Sequence, residues 1–416
     1  MDVMLEGGSL QGTIGSIPSK STAHRALICA ALADGPTKIR LPARNEDIDA
    51  TISCLRALGA QVTSEAARVV VDPISVLPKS ANLNCGESGS TLRFLLPVTA
   101  ALLGEAWFSG QGNLPNRPIV ELNTVLENHG IRFSGSRLPF QISGNLRAGI
   151  YEIEGNISSQ YISGLLFALP LLNDDSRIVL KSALCSEPYV RLTIDILQKF
   201  GIQTKTCDDG YLVHGKQVYS SPGQMNIEGD WSASAFLLTA GALGGDVTVT
   251  DLNPYSLQGD RAVVEILQQF GAALNVSENA VRVQKARLRA CAVDVSPIPD
   301  LLPPLAVLAC GAEGKTVLYN ASHLRYKESD RLKSTAEMIN ALGGKASAFP
   351  DRLEIEGARL SGGTVSSFGD HRIVMAAAVA AGICDGKTTI LDADAVSKSY
   401  PGFFRDFSML GGKIIF

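Results

Sequence analysis

Six times along the chain, an amphipathic stretch ends in an aliphatic or aromatic residue, then Gly, then a small or aliphatic residue. The sites are Leu58-Gly59-Ala60, Phe200-Gly201-Ile202, Phe270-Gly271-Ala272, Leu342-Gly343-Gly344 and Leu410-Gly411-Gly412, with His129-Gly130-Ile131 as a variant. These glycines stand 68 to 72 residues apart. A glycine just past a helix takes φ > 0 without strain, so each is expected at a helix C-terminus. A second marker keeps step with the first: an Ala/Leu-rich helix, a short polar turn and a β-branched strand. The expected strands are 37–40, 105–108, 177–180, 247–250, 316–319 and 388–391. Each unit therefore reads helix, strand, helix, strand, with further strand material before the next. The repeat predicts an α/β fold of two domains, each built from three α/β units of about 70 residues.

Composition narrows the function classes. The chain has 416 residues, Lys+Arg 37 against Asp+Glu 41, and a net charge of −4. With 45% hydrophobic and 19% charged residues it reads as a soluble globular protein with chain enough for more than one core. Nucleic-acid and membrane-surface roles call for a net basic face, which is lacking. Residues 1–10 carry no basic residue and no apolar targeting core follows, so a cytoplasmic protein is expected. Eight cysteines without CxxC spacing are expected as reduced thiols, and five histidines without an HxxxH pair give a metal site little support.

The apolar helices begin near residues that can cap them: Ser21, Ser90, Ser159, Asp230, Asp300 and Asp370, spaced 69 to 71 residues apart. Capping alone explains such residues. The neighbours add charge: Lys20 and Arg25 flank Ser21, Arg93 follows Ser90, Gln160 follows Ser159, and His371-Arg372 follows Asp370. Helix N-termini favour anions, and Arg suits phosphate or carboxylate through its bidentate fork. Repeated basic helix starts point to small anionic ligands.

Nucleotide motifs fail. Ser19-Lys20-Ser21 lacks the glycines of a phosphate loop, with Ile14 and Ser19 in their places, and no G-x-G-x-x-G follows a strand. No cofactor is expected. Asp300 sits in the apolar, proline-rich stretch 296–303, where reduced solvation is expected to raise its basicity. Lys20, Arg25, Arg117, Lys327, Arg331, Arg372 and Lys398 supply cations, and Asp300 and Glu328 are acid–base candidates. That constellation fits a metal-free transfer between two anionic small molecules.

In order along nearly the whole chain, these segments resemble the 5-enolpyruvylshikimate-3-phosphate synthase family. The match runs through Ser19-Lys20-Ser21 with His24-Arg25, Gly86-Glu87-Ser88-Gly89-Ser90, Asn116-Arg117-Pro118, Ser158-Ser159-Gln160 and Glu187-Pro188-Tyr189. It continues with Glu228-Gly229-Asp230, Ile298-Pro299-Asp300, Lys327-Glu328-Ser329-Asp330-Arg331, Asp370-His371-Arg372 and Lys398 before Tyr400-Pro401. The resemblance implies two domains facing across a cleft, 14–226 and 1–13 plus 227–416, and a monomer. It implies transfer of the carboxyvinyl group of phosphoenolpyruvate to the 5-hydroxyl of shikimate 3-phosphate, releasing phosphate. Carried over by position, shikimate 3-phosphate meets Lys20, Ser21, Arg25, Ser158, Ser159, Gln160, Ser186, Asp300 and Lys327. Phosphoenolpyruvate meets Lys20, Gly89, Arg117, Gln160, Arg331, Arg372 and Lys398. Asp300 accepts the hydroxyl proton, and Glu328 or Lys20 protonates the vinyl carbon.

The chain departs from many members at Glu87, Ser90, Phe94 and His323, the last standing where an Asn often contacts substrate. Two rivals stay open. A related transferase acting on UDP-N-acetylglucosamine shares the repeat but carries Lys-Asn where Lys20-Ser21 stands. A non-catalytic repeat protein would bind both anions without turnover.

Overall fold

Leucine, histidine or phenylalanine closes each outer helix, and the following glycine turns left-handed. Gly59, Gly130, Gly201, Gly271, Gly343 and Gly411 have φ of 106°, 100°, 79°, 86°, 83° and 94°. At Gly59 a Cβ would also stand 2.6 Å from the Val76 carbonyl oxygen, so the turn needs glycine on two counts. The computed structural model describes residues 1–415.

Each repeat becomes a four-stranded sheet with helices, giving six sheets. The second shows the plan. Ala81–Asn84 runs parallel to Glu105–Ser109, which pairs antiparallel with Phe140–Gly144, itself antiparallel to Ile131–Phe133. Helix Gly89–Leu102 connects the parallel pair, the crossover that a parallel strand pair requires. The six second-position strands are Thr37–Arg40, Glu105–Ser109, Ser176–Leu180, Asp246–Thr250, Lys315–Tyr319 and Thr388–Leu391. They coincide with the expected strands to within a residue at either end.

The chain falls into two compact units, Met1–Ile17 with Glu228–Phe416, and Pro18–Ile227. Two strands fix those limits. Gln11–Gly15 pairs parallel with Asp246–Thr250, although the helix after it, Lys20–Leu32, belongs to the other unit. Gln224–Asn226 pairs parallel with Thr37–Arg40 before the chain enters helix Trp231–Gly244. The expected limit at residues 13 and 14 thus falls inside a paired strand, and the chain leaves that unit only after Ile17. In the sixth sheet the N-terminal strand Val3–Glu6 lies between Thr388–Leu391 and Lys413–Ile415, antiparallel to both.

In each unit the apolar helices lie against one another as well as against sheets, so they are buried all round. Trp231 to Ala242 is an unbroken buried run. Helix Ser159–Ala168 packs so closely on Gly89–Leu102 that a Cβ on Gly164 would stand 2.2 Å from the Arg93 carbonyl oxygen. No helix among the described residues is long and apolar enough to cross a membrane.

Candidate functional site

The helix starts differ from expectation in a way that bears on chemistry. Ser19, Ser88 and Ser158 are the N-caps, accepting from Thr22 N, Thr91 N and Gln160 N. Each is extended and stands one or two residues ahead of Ser21, Ser90 and Ser159, which lie within the first turn. Asp230 and Asp370 do cap, accepting from Ala233 N at 2.8 Å and Arg372 N at 3.0 Å. Asp300 stands differently: it lies inside the 3-10 turn Pro299–Leu301, one oxygen on the Arg331 guanidinium and the other on that of Arg372.

In unit Pro18–Ile227, Lys20 begins its helix and donates to Asp47 Oδ2 at 2.8 Å. Gly89 begins the next, with the Arg117 guanidinium lying against it; a Cβ there would stand 2.8 Å from Nη1 and 2.9 Å from Cζ. Arg93 reaches Gln160 Oε1 at 2.7 Å, and Gln160 Nε2 donates to Ser90 Oγ at 2.9 Å, so Gln160 ties two helix starts together. Ser186 is a buried residue with left-handed φ of 53°, a strained turn of the kind that gathers at binding sites. Arg25 is turned into the protein, 2% exposed, donating to Thr193 Oγ1, Ser21 O and Tyr189 O at 2.7–2.9 Å. Burial pushes its pKa down to about 10.

The other unit holds a denser cluster. Arg331, 1% exposed, donates to Asp300 Oδ1 at 2.6 Å, Glu328 Oε2 at 2.7 Å and Asp370 Oδ2 at 3.0 Å. Asp300 Oδ2 accepts from Arg372 Nη2 at 2.8 Å. Lys398 Nζ donates to Gly369 O at 2.9 Å, placing its ammonium beside the turn into helix His371–Ala381. Lys327 bears electrostatically on Asp300. The structure thus gathers Asp300, Glu328 and Asp370 around the buried Arg331 guanidinium, with Arg372 on the second oxygen of Asp300 and the Lys327 charge acting on the same carboxylate.

Burial alone would lift the Asp300 pKa, as its apolar surroundings suggest. Arg372, then Arg331 and Lys327, outweigh that and hold it well below the usual carboxylate range. The expectation of raised basicity is therefore reversed in this state. Burial opposes the charge on Arg331, but Asp370, Glu328 and Asp300 raise its pKa. His323 is buried and its pKa is pushed down to about 3, by burial first and Lys327 second, so its ring is neutral. Its Nε2 has no hydrogen-bond partner among the described residues.

Three acids escaped the sequence reading. Asp370 was visible as a cap and in the Asp370-His371-Arg372 segment, but not as the anchor of Arg331. Asp47 follows the Asn45 cap of helix Glu46–Ala57, an ordinary place for an acid, and nothing local marks it as the partner of Lys20. Asp260 lies in the short turn Gly259–Ala262 without any motif; it is fully buried and accepts from the Ser232 hydroxyl.

The profile of the family described as EPSP synthase (3-phosphoshikimate 1-carboxyvinyltransferase) matches residues 5–407. A Methanocorpusculum labreanum protein named 3-phosphoshikimate 1-carboxyvinyltransferase is 41% identical over 417 residues, covering 99% of both chains. A Clostridium kluyveri protein of the same name is 42% identical over 421 residues, covering 99% of this chain and 98% of its own. Among solved structures, an EPSP synthase from Acinetobacter baumannii aligns with a TM-score of 0.81 at 24% identity, covering 100% of this chain and 99% of that one. An enolpyruvyl transferase from Streptomyces tendae aligns with a TM-score of 0.79 at 18% identity, covering 100% and 98%. These two likenesses speak for the fold.

Proposed function

The chain belongs to the EPSP synthase family, and on that premise we propose that it transfers the carboxyvinyl group of phosphoenolpyruvate to the 5-hydroxyl of shikimate 3-phosphate, releasing phosphate. This is a step of aromatic amino acid biosynthesis by the shikimate pathway. The observation that carries the reading is the bridging of Arg331 and Arg372 by Asp300. A site for a dianionic substrate needs fixed guanidinium groups, and a hydroxyl nucleophile needs a carboxylate to take its proton. Both are present in one contact.

The pairing also suggests how the base is switched on. While both guanidiniums hold Asp300, its carboxylate is ionised but a poor proton acceptor. When phosphoenolpyruvate supplies its own carboxylate and phosphate to Arg331 and Arg372, the hold on Asp300 weakens and its basicity rises. Asp300 then takes the 5-hydroxyl proton, and Glu328 or Lys20 delivers a proton to the vinyl carbon. The acceptor oxygen bonds to C2; the tetrahedral adduct then loses phosphate from C2 and a proton from its methyl carbon, which restores the vinyl group, the negative charge of the departing phosphate being met by Lys20, Arg117, Arg372 and Lys398. Ser21, Arg25, Ser158, Ser159, Gln160, Ser186, Asp300 and Lys327 are assigned to shikimate 3-phosphate. Gly89, Gln160 and Arg331 join the phosphoenolpyruvate set. The reading includes action as a cytoplasmic monomer; eight cysteines outside any disulfide suit a reducing compartment.

Phosphate release tests the reading. It should require phosphoenolpyruvate and shikimate 3-phosphate together and should not occur with UDP-N-acetylglucosamine. Release only with the sugar nucleotide would transfer the assignment to the sister reaction; ligand binding without release would make the protein a receptor.

A further inference from the structure

Lys20 and Asp47 make a contact to which the reaction outlined above gives no role. The 2.8 Å pair is largely withdrawn from solvent, the two side chains being 15% and 11% exposed. A lysine at the first position of a helix opposes the helix dipole, so Lys20 stands where its own helix disfavours it. Asp47 offsets that. It occupies the first turn of helix Glu46–Ala57, where the dipole favours an acid.

Asp47 is itself tied in place. Thr91 Oγ1 donates to Asp47 O at 3.4 Å, and the same hydroxyl lies 2.8 Å from Ser88 Oγ, the cap of helix Gly89–Leu102. Thr91 Oγ1 also meets Thr51 Oγ1 at 2.6 Å, and Thr51 meets His24 Nδ1 at 2.7 Å, one turn beyond Lys20. His24, Thr51, Thr91 and Ser88 are all buried. A buried chain of polar side chains, His24, Thr51, Thr91 and Ser88, thus joins the three helices whose first turns carry Lys20, Asp47 and Gly89. A free lysine ammonium samples many rotamers and must be ordered when an anion arrives; one already held by a fixed acid loses less.

We propose that Asp47 is a positioning residue, holding the Lys20 ammonium at the head of its helix ready for the anion of phosphoenolpyruvate and sharing it once that anion binds. The proposal rests on the assignment of Lys20 to phosphoenolpyruvate made above. Asp47→Asn keeps the shape and an acceptor but removes the charge. It should lower kcat/KM for phosphoenolpyruvate about tenfold, the scale of a charged hydrogen bond.

A double-mutant cycle with Lys20→Ala reads whether that loss passes through Lys20. The Asp47→Asn loss should fall below about twofold when Lys20 is absent. Equal losses in both backgrounds would overturn the proposal. The cycle can be repeated on phosphoenolpyruvate binding by calorimetry if Lys20→Ala turns over too slowly. A second readout needs no substrate: the rate at which an amine-acylating reagent labels Lys20, followed by mass spectrometry. Labelling should be several-fold faster in Asp47→Asn than in the parent, and an unchanged rate would sink the positioning role even if transfer activity is intact. Faster labelling in a protein that fails to release phosphate would instead count against the assigned reaction alone. Should Asp47→Asn fold poorly, Asp47→Glu keeps the charge and displaces it by one methylene; it should show the same two effects in weaker form, and parental values for both would contradict the proposal.

Discussion

Arg331 Nη1 stands 2.6 Å from Asp300 Oδ1, while the other Asp300 oxygen reaches Arg372 Nη2 at 2.8 Å. One carboxylate bridging two guanidiniums gives the site both its anion-binding groups and its base, and ties the availability of each to the other. Asp300→Asn should cut kcat by about 10²–10⁴-fold, the usual worth of a general base. The KM for phosphoenolpyruvate should fall or stay level, because the guanidiniums lose a competing acid. Folding stability should drop by about 1–3 kcal/mol, less than for a buried pair broken outright, since Arg331 keeps Glu328 and Asp370. Asp230→Asn, a cap without proton transfer assigned to it, is the control. Steady-state kinetics with thermal unfolding measures all three, and near-parental turnover would remove Asp300 as the base.

Arg331→Ala should act on folding as much as on binding. It leaves Asp300, Glu328 and Asp370 facing one another with their shared cation gone, at a cost of about 3–5 kcal/mol. Arg372→Ala breaks the other half of the bridge, its 2.8 Å contact with Asp300, and should cost less stability while still weakening phosphoenolpyruvate, because Arg331 still holds Asp300. Denaturant unfolding should rank the two; equal stabilities would contradict the three-acid arrangement.

Gly89→Ala places a methyl where the Arg117 guanidinium lies, within 2.9 Å of Cζ. The helix itself accepts alanine readily, so stability should change little. The displaced guanidinium should raise the KM for phosphoenolpyruvate about tenfold, the scale of one charge-assisted contact, and that for shikimate 3-phosphate far less. Comparable losses for both substrates would place Arg117 elsewhere in the reaction.

Asp260 sets a pH dependence of stability. Burial, then the Asp300 charge, push its pKa up to about 7, while Arg372 and the Ser232 hydroxyl pull down. The native state therefore binds a proton that the unfolded chain, with its ordinary carboxyl near 4, has released. Stability from this group is present below pH about 4 and is lost as pH rises to about 7. Asp260→Asn should abolish that slope and melt higher than the parent at pH 8. Melting curves at pH 5 and 8 decide it; identical parent and variant shifts would mean that Asp260 does not titrate there.

The fold was legible because the repeat writes itself in backbone chemistry: a glycine that must turn left-handed, six times, and β-branched strands in step with it. The two strands that pair in the unit the chain is leaving, Gln11–Gly15 and Gln224–Asn226, carry no such mark. Their partners are more than 180 residues away in sequence, and local pattern does not choose between edges. At the site, residue type and order pointed to Arg331, Arg372 and Asp300. The pairing between them did not show, because it joins segments 31 and 72 residues apart. Asp300 was grouped with the caps, as well as with the acid–base candidates, for the same reason: its position in the repeat matches Asp230 and Asp370, and its two guanidinium partners show only in three dimensions. Asp47 and Asp260 had no local signal at all.

The most direct measurement follows phosphorus through one reaction mixture by NMR. With phosphoenolpyruvate and shikimate 3-phosphate present, the phosphoenolpyruvate resonance should vanish as inorganic phosphate grows in equal amount. The shikimate phosphate should move to a new position at the same rate, and Asp300→Asn should leave all three lines nearly still over that time. A phosphate line that grows while the shikimate phosphate stays unchanged, or no change in any line, would contradict carboxyvinyl transfer by this protein.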